Sequence, residues 1–323
     1  TNAILQSFLT VSPTAILDGT ETSDTLTWDF NSGSEAFDFL ATGETLILTY
    51  TVSATDDDGT PLTDTETVAI TITGTNDAPL ITGGPASSGL TETNAGLSDS
   101  GTLPVVDLDT SDVVNAAVDS VGVSGTGAGS VPGTLTNAIL QSFLSVSPTA
   151  ILDGTETTDT LTWDFNSGSE AFDFLASGET LILTYTISAT DDDGTPLSDT
   201  ETVTVTITGT ADAPVITGGP DTSALTETNS GLTDSGTLTI SDADTTDLVT
   251  AAVDSVAVTG TGSGSVPGTL TNAILQSFLS VSPAAILDGT ETSDTLTWDF
   301  NSGSEAFDFL AAGETLILTY TVS

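Results

Sequence analysis

A short acidic motif that occurs twice has the spacing of a cation site. It reads Asp107-Leu108-Asp109-Thr110-Ser111-Asp112, and its copy reads Asp242-Ala243-Asp244-Thr245-Thr246-Asp247. On an extended strand, carboxylates two residues apart point to the same side, with Cα atoms about 7 Å apart. Such carboxylates repel each other unless a hard cation, which prefers oxygen ligands, lies between them. The motif therefore predicts a cation site, and a solvated acidic turn is the alternative.

Two further acidic segments could add ligands to such a site. The first runs from Ala54 to Gly59, reads ATDDDG and recurs at 189–194. It does not fit an EF-hand loop, because Ala54 and Thr65 stand where that loop needs Asp and Glu. A hairpin turn with Asp-Gly chemistry is the simpler interpretation, and one Asp could still contribute to a site. The second is Asn76-Asp77, which carries a side-chain carbonyl and a carboxylate.

The composition removes most other chemistry. The 323 residues include no Lys, Arg, His or Cys against 46 Asp and Glu, so the formal charge is −46. The chain therefore has no disulfide, thiolate nucleophile, imidazole base, lysine Schiff base or usual zinc site. A surface with this charge repels nucleic acid and anionic membranes. A carboxylate pair is the remaining catalytic option, and because no pair stands out among 46 acids, we do not expect an enzyme.

The chain is a tandem repeat with a period of 135 residues. Residues 1–9 read TNAILQSFL and recur at 136–144 and 271–279, and the three Trp lie at 28, 163 and 298. A period of this length corresponds to a whole domain rather than to one unit of a solenoid. Gly and Pro break the alternating pattern at 74–79 and 209–214, where we place the linkers. These linkers predict an incomplete domain at 1–77, a complete domain at 78–212 and a domain lacking its final strands at 213–323.

Hydrophobic alternation predicts an all-β fold. Residues 25–30, 45–52 and 67–73 alternate apolar side chains with polar ones, chiefly Thr, which is typical of antiparallel sheets with one buried face. Trp28 and its copies lie in this pattern, so we expect them to be buried anchors. Residues 2–8 and 34–40 could each form one helical turn, too short for a helical layer. Many short strands in regular order indicate one β-sandwich per repeat.

Several segments resemble the VCBS repeats of very large bacterial surface proteins. They are Leu40 to Leu46, Tyr50 to Asp56, the strand Val68 to Thr73 and the linker Gly74 to Pro79 that follows it. The resemblance covers essentially the entire chain, and the strand with its linker is the most specific part. It implies tandem Ig/cadherin-like β-sandwiches in an extended array, of the kind that forms the extender regions of RTX-type adhesins. It also implies secretion by a type I system and roles in adhesion and biofilm.

The cadherin-like part of the resemblance implies where calcium would bind. In cadherins, the ion is held by a Glu well before an Asn-Asp linker and by an Asp-x-Asp motif well after it. Here Glu44 lies 32 residues before Asn76, and Asp107 lies 31 residues after it. Carried over, the first junction would use Glu44, Asn76, Asp77, Asp107 and Asp109, with Asp191 or Asp192 as a further ligand. The second would use Glu179, Asp212, Asp242 and Asp244, with Glu92 from near the base of the middle domain. Asp112, Asp247 and Glu227, which belong to the same recurring segments, complete the candidate set. Ala211 replaces Asn76 in the second linker, so that junction loses a side-chain carbonyl.

These observations and the resemblance predict a calcium-stiffened extender of a large secreted adhesin or extracellular filament at the bacterial surface. Its expected partners are neighbouring repeats, other copies in a filament, and an unidentified surface or glycan, but not nucleic acid or a membrane interior. Two other functions remain open: a sugar- or surface-binding module, and a filament or surface-layer subunit that packs laterally. A salt-loving host is a further explanation of the acidity.

Overall fold

The computed structural model describes all 323 residues and is built almost entirely from β-strands. Its helices are Asn2–Ser7 (α1), Asn137–Ser142 (α2) and Asn272–Gln276 (α3), and 3-10 turns lie at Thr126–Gly129 and Ser263–Ser265. None of the helices is long and apolar enough to cross a bilayer. The strands are Leu9–Ser12 (β1), Thr27–Phe30 (β2), Thr45–Thr55 (β3), Thr63–Thr73 (β4), Leu80–Ile81 (β5), Ala86–Thr91 (β6), Ser98–Val106 (β7), Val113–Ser124 (β8), Leu144–Ser147 (β9), Ala150–Asp153 (β10), Thr158–Asn166 (β11), Thr180–Thr190 (β12), Ser198–Thr208 (β13), Val215–Thr217 (β14), Thr233–Ser241 (β15), Leu248–Thr250 (β16), Val253–Thr259 (β17), Leu279–Ser282 (β18), Ala285–Asp288 (β19), Ser293–Asn301 (β20) and Ile317–Val322 (β21).

The middle repeat forms a sandwich of two sheets. One sheet has the order β5-β7-β11-β9 and the other the order β10-β8-β12-β13-β6. Neighbouring strands are antiparallel, except that β6 runs parallel to β13. Strands β12 and β13 form the longest hairpin, with 11 pairs from Thr180↔Thr208 to Thr190↔Ser198. Because successive side chains alternate between faces, the odd-numbered residues of β12 are buried and the Thr-rich even-numbered ones face outward. The all-β prediction with sandwich domains is confirmed.

The largest hydrophobic core holds this sandwich together. Its 26 buried residues lie between Ile81 and Ile207 and come from both sheets. Tyr185 is fully buried at its centre, and its hydroxyl donates to the Leu140 carbonyl at 2.9 Å, which ties α2 to the sheet. Burying each large side chain contributes roughly 1.5–3 kcal/mol. The core lies inside the predicted domain 78–212, whose boundaries remain a prediction.

Tryptophan burial differs between the repeats. Trp163 is 4% exposed and is covered by Gly101 of β7, where a Cβ atom would come within 2.5 Å of the indole ring. The buried anchor is therefore confirmed for the middle repeat. Trp28 is 51% exposed, because its strand β2 pairs only with β1 and lacks the second neighbour that β7 provides in the middle repeat.

The flanking repeats contain the corresponding parts of the same sandwich. In the first repeat, β1 pairs with β2 and β3 with β4 around a small core of Phe8, Phe37 and Leu40. The third repeat has the sheet β14-β15-β20-β18 and the pairs β16-β19 and β17-β21. The helical turn expected near the N-terminus is present as α1. The one expected at 34–40 is wrong, because Phe37 has a φ of 63°, outside the right-handed helical region.

Candidate metal centres at the repeat boundaries

The turn between β7 and β8 brings three buried carboxylates together. Asp107, Asp109 and Asp112 are each at most 3% exposed, and one oxygen from each lies within 4.8 Å of the others. Backbone donors fold the turn: the Asp109 N–H donates to Asp107 Oδ1 at 3.1 Å, and the Asp112 N–H donates to the Asp109 carbonyl at 3.2 Å. These side chains are buried, so a solvated acidic turn does not describe this segment.

The hairpin loop between β12 and β13 lies against the same three carboxylates. Asp191 closes this loop by accepting the Leu197 N–H at 3.1 and 3.0 Å on its two carboxylate oxygens, as a hairpin turn predicts. Asp191 is 3% exposed, and both it and Asp193 are close enough to act electrostatically on Asp112. Asp192 is exposed and accepts the Val113 N–H at 2.9 Å, so it braces the loop.

The linker between the first and middle repeats is bound to both of these loops. The Asn76 side chain donates from Nδ2 to Asp191 Oδ2 at 3.1 Å. The Asp77 N–H donates to Asp109 Oδ2 at 2.7 Å. The end of the first repeat is thus tied to the top of the next one by acids of the middle repeat. We call the group Asn76, Asp77, Asp107, Asp109, Asp112, Asp191 and Asp193 the first boundary site.

Five buried oxygen atoms of the first boundary site lack a hydrogen-bond partner in the protein. They are Asn76 Oδ1, Asp107 Oδ2, Asp109 Oδ1, Asp112 Oδ2 and Asp193 Oδ2. Buried polar atoms are nearly always hydrogen-bonded, because an unpaired one costs about 1–3 kcal/mol and a charged one more. Five such acceptors in one place, with no cationic side chain in the sequence, fit the ligand set of a hard cation.

The protonation equilibria of this site reflect its burial. Burial raises the pKa of Asp107 to about 6 and that of Asp112 to about 7, and neighbouring carboxylates add to both shifts. Burial likewise raises the pKa of Asp109, although the hydrogen bond from the Asp77 N–H opposes this. Without a bound cation, ionising these groups at neutral pH therefore costs energy.

A second group lies where the middle repeat meets the third. Carboxylate oxygens of Glu92, Asp173 and Asp212 lie within 4.8 Å of one another. Glu92 follows β6, is 1% exposed, and accepts the Thr210 N–H at 2.6 Å and the Thr210 hydroxyl at 2.8 Å. Asn94 donates from Nδ2 to Asp212 Oδ1 at 3.1 Å. The base of the middle repeat thus holds the second linker through Thr210 and Asp212.

The third repeat completes this second group with the copy of the Asp107 motif. The Asp212 N–H donates to Asp244 Oδ2 at 2.8 Å, and the Asp244 N–H donates to Asp242 Oδ1 at 3.1 Å, as at the first boundary. Asp242 and Asp244 are at most 4% exposed, and the half-buried Asp247 donates its N–H to the Asp244 carbonyl at 3.2 Å. We call Glu92, Asp173, Asp212, Asp242, Asp244, Thr245 and Asp247 the second boundary site.

The second boundary site has the same surplus of buried acceptors. Glu92 Oε1, Asp173 Oδ1, Asp212 Oδ2, Asp244 Oδ1 and Thr245 Oγ1 have no hydrogen-bond partner in the protein. Burial raises the pKa of Asp244 to about 6 and also raises the pKa of Asp173, with like-charged neighbours adding to both. A cleft of about 790 Å³ between the two repeats is lined in part by Asp173, Asp212 and Asp242. This boundary is therefore also suited to hold a hard cation.

Glu227 occupies the position in the third repeat that Glu92 occupies in the middle one. Its carboxyl group lies close enough to that of Asp308, the counterpart of Asp173, to share a proton with it, and this contact raises the pKa of Glu227. The fold of one repeat therefore brings this Glu-Asp pair together before any linker residue joins it.

Glu44 and Glu179 are not brought into either acidic group. Glu179 Oε2 accepts the Ala176 N–H at 3.2 Å, and Glu44 Oε2 accepts the Ala41 N–H at the same distance. Both carboxylates therefore close their own turns. The Glu of the second boundary site is Glu92, which reaches the linker from another strand.

Three members of the two sites were not predicted from the sequence: Asp173, Asp193 and Thr245. Asp173 follows Phe172, which has a φ of 68° and a fully buried ring, so core packing fixes the backbone that presents Asp173. The recurring tripeptide Phe-Asp-Phe, at 37–39, 172–174 and 307–309, was the available signal.

Comparisons with known proteins give structural neighbours but no sequence family. No family model and no curated protein match the chain. Among solved structures, it is similar to the protocadherin gammaB7 EC3-6 cis-dimer structure (14% identity, TM-score 0.35), the protocadherin GammaB4 extracellular domain (16%, 0.36) and human CDH23 EC21-23 (13%, 0.32). These matches cover 97%, 97% and 84% of this chain, and 65%, 42% and 73% of those chains. This chain thus spans less than two thirds of the first two.

Proposed function

We propose that this chain is a run of calcium-stiffened spacer domains, the extender repeats of a large secreted bacterial adhesin or extracellular filament. The observation that carries the proposal is the set of buried oxygen atoms at each boundary that no protein group satisfies, such as Asp109 Oδ1 and Glu92 Oε1. They lie where one repeat meets the next, and the sequence has no side-chain cation to neutralise them.

The ligand set favours calcium over the other common divalent metals. All candidate ligands are oxygen atoms, and Ca²⁺ takes six to eight oxygens in flexible geometry. Zn²⁺ prefers the nitrogen and sulfur ligands of His and Cys, which are absent from the sequence. Mg²⁺ retains several waters and is rarely enclosed by protein groups alone. Bound calcium would supply the positive charge that these carboxylates lack.

The protein itself organises each boundary for this role. Asp109 accepts the Asp77 N–H, and Asp244 accepts the Asp212 N–H, so the linker backbone is already held against the acidic turn. The remaining carboxylate oxygens point at one another and repel. Neutralising them would remove that repulsion and fix the orientation of the neighbouring repeats.

The two boundary sites contain different parts of one repeating junction. The first has Asp191 and Asp193 from the hairpin loop of the following repeat. The second has Glu92 and Asp173 from the preceding repeat. A junction between two complete repeats would combine both sets and have more acidic ligands than either site here.

The proposed role is mechanical and not catalytic. The repeats are almost identical in sequence, which suits a spacer, because a recognition tip needs a unique surface. A sugar-stacking role is not favoured, because Trp163 is 4% exposed in the middle repeat. Placement outside the cell is part of this proposal and is supported by the resemblance to extender repeats.

Calcium titration of matched variants tests the proposal. Asp191→Ala removes a carboxylate of the first boundary site, and Asp56→Ala removes its counterpart in the first repeat. Asp56 is exposed and accepts the Leu62 N–H at 2.9 Å, so it closes the same kind of hairpin loop away from any boundary site. We expect calorimetric titration to show weaker calcium binding for Asp191→Ala, by about 10-fold or more, and unchanged binding for Asp56→Ala. Equal calcium binding in the two variants, or none in the wild type, would refute the proposal.

A further inference from the structure

The outer face of the hairpin β12–β13 carries no charge, although the chain is strongly acidic. Its twelve outward-facing residues are nine Thr, two Ser and one Ile, at the even positions of 180–190 and 198–208. We call these residues the threonine face. The adjoining strands β6 and β8 extend it with small and polar residues. The acid on this surface is Asp119, which lies at the irregularity in β8 and accepts the Ser188 hydroxyl at 2.9 Å.

The threonine face recurs with the repeat. Outward positions 180–188 of β12 have the same residues in all three repeats, as in the series Thr49, Thr184 and Thr319. In β4 of the first repeat, Ala69 replaces Thr204 and no charge is introduced. By contrast, the outer face of the other sheet carries the exposed Asp164 on β11.

Hydroxyl groups at the centre of this face are available to a partner. The side-chain hydrogen bonds of the outward residues lie at the two ends of the hairpin or involve an acid: Thr190 pairs with Ser198 at 2.9 Å, Thr180 lies 3.4 Å from the Thr126 hydroxyl, Thr202 is 3.4 Å from Glu201, and Ser188 donates to Asp119. A Thr hydroxyl both donates and accepts, so a surface of such groups is complementary to a copy of itself. The Thr methyl groups and the Ile182 side chain add apolar area.

The charge and the dimensions both point to a second copy of this chain as the partner. Two molecules of charge −46 can approach closely only where their surfaces are neutral. Three strands of about 11 residues and the six-residue β6, about 4.8 Å apart at ~3.4 Å per residue, give a surface of roughly 600 Å². A standard-size interface buries about 800 Å² on each partner.

We propose that the threonine face is a lateral self-association surface, on which two copies of the chain pack sheet against sheet. This interaction is separate from the boundary sites, because the face lies on the side of the sandwich and has none of their ligands. Repetition along the chain would add avidity, since the β3–β4 hairpin of the first repeat presents the same kind of face.

Charge insertion tests this surface. The variant Thr49→Glu/Thr184→Glu/Thr319→Glu places one carboxylate on the threonine face of every repeat. The matched control, Thr27→Glu/Thr162→Glu/Thr297→Glu, places the same charges on the outer face of the other sheet, at positions also related by 135 residues. Analytical ultracentrifugation in ~1 mM calcium and physiological salt measures the association. We expect the wild type and the control to self-associate with a micromolar or tighter dissociation constant. We expect the threonine-face variant to associate at least ~10-fold more weakly.

A monomeric wild type, or equal association of the two variants, would overturn the proposal. If the threonine-face variant is misfolded by circular dichroism, single-cysteine variants replace it, because the natural chain has no Cys. A short bis-maleimide crosslinker should then join the Thr184→Cys variant into dimers but leave the Thr162→Cys variant monomeric. Equal crosslinking of the two variants would count against the proposed face. Unchanged calcium binding in the Glu variants would separate this result from the function of the boundary sites.

Discussion

Replacing Asp112 with Asn should change stability in opposite directions with and without calcium. Asp112 is 3% exposed, and its Oδ2 has no protein partner. Burial, with like-charged neighbours, raises its pKa from 3.8 to about 7. The folded state therefore bears the cost of an ionised Asp112 at pH 7.5 when no calcium is bound. The neutral amide of Asn removes that cost.

The size of the effect follows from the pKa. One pKa unit corresponds to ~1.4 kcal/mol, so the rise in the pKa of Asp112 from 3.8 to about 7 sets an upper bound of about 4 kcal/mol on the cost of ionising it in the folded state. Hydration and relaxation of a surface turn reduce this, and we expect Asp112→Asn to stabilise the chelator-treated protein by ~1–2 kcal/mol. In calcium, the lost charge should weaken binding by about 10- to 100-fold and lower the melting temperature relative to wild type.

Differential scanning calorimetry at pH 7.5, in chelator and in ~1 mM calcium, measures both effects. Asp164→Asn is the control, because it removes the same charge from an exposed position away from the boundaries. It should shift the melting temperature by a small amount in the same direction in both buffers. If Asp112→Asn shifts the melting temperature in the same direction in chelator and in calcium, then this site does not hold a buried, uncompensated charge.

Three further predictions concern pH, the linkers and the core. Calcium affinity at the first boundary should fall as the pH drops through about 7 to 6, because protonated Asp112 and Asp107 cannot bind the ion. In chelator, the stability of the protein should instead rise as the pH falls over that range and on towards pH 4, because protonation removes the buried charges. Calorimetric titrations and thermal melts at a series of pH values check the fall in calcium affinity and the rise in stability. Ala211→Asn should strengthen calcium binding at the second linker, and Asn76→Ala should weaken it at the first. If calorimetric titrations of both variants match that of the wild type, the Asn side chain at this linker position has no role in calcium binding. Tyr185→Phe should cost about 1 kcal/mol in urea unfolding without altering calcium affinity, since it removes only the buried hydrogen bond from its hydroxyl to α2.

The strand pattern and the repeat were readable from the sequence because both are local or strictly periodic. Alternation of Leu181, Leu183 and Tyr185 with Thr fixes which side of β12 is buried. The Asp107 motif was also predictable, because its three carboxylates come from one turn. The Trp28 prediction failed because burial of that side chain needs a strand from elsewhere in its repeat.

The composition of the boundary sites could not be read fully from spacing along the chain. Glu179 lies at a cadherin-like distance from its linker, yet its carboxylate closes a local turn. Glu92 and Asp173 are 81 residues apart in sequence and meet only because β6 and the loop before β12 end at the same base of the sandwich. Contacts between distant loops depend on topology, which local patterns do not encode.

Interdomain distance measurements test most directly whether calcium fixes the orientation of neighbouring repeats. The natural chain has no Cys, so Thr160→Cys and Thr295→Cys, equivalent exposed positions of the middle and third repeats, can carry spin labels for pulsed electron paramagnetic resonance. We expect a broad distance distribution in chelator, including in molar sodium chloride, and a narrow one in ~1 mM calcium. A distribution that is equally narrow without calcium, or that sodium chloride narrows as well as calcium does, would contradict calcium-dependent stiffening at the boundary sites.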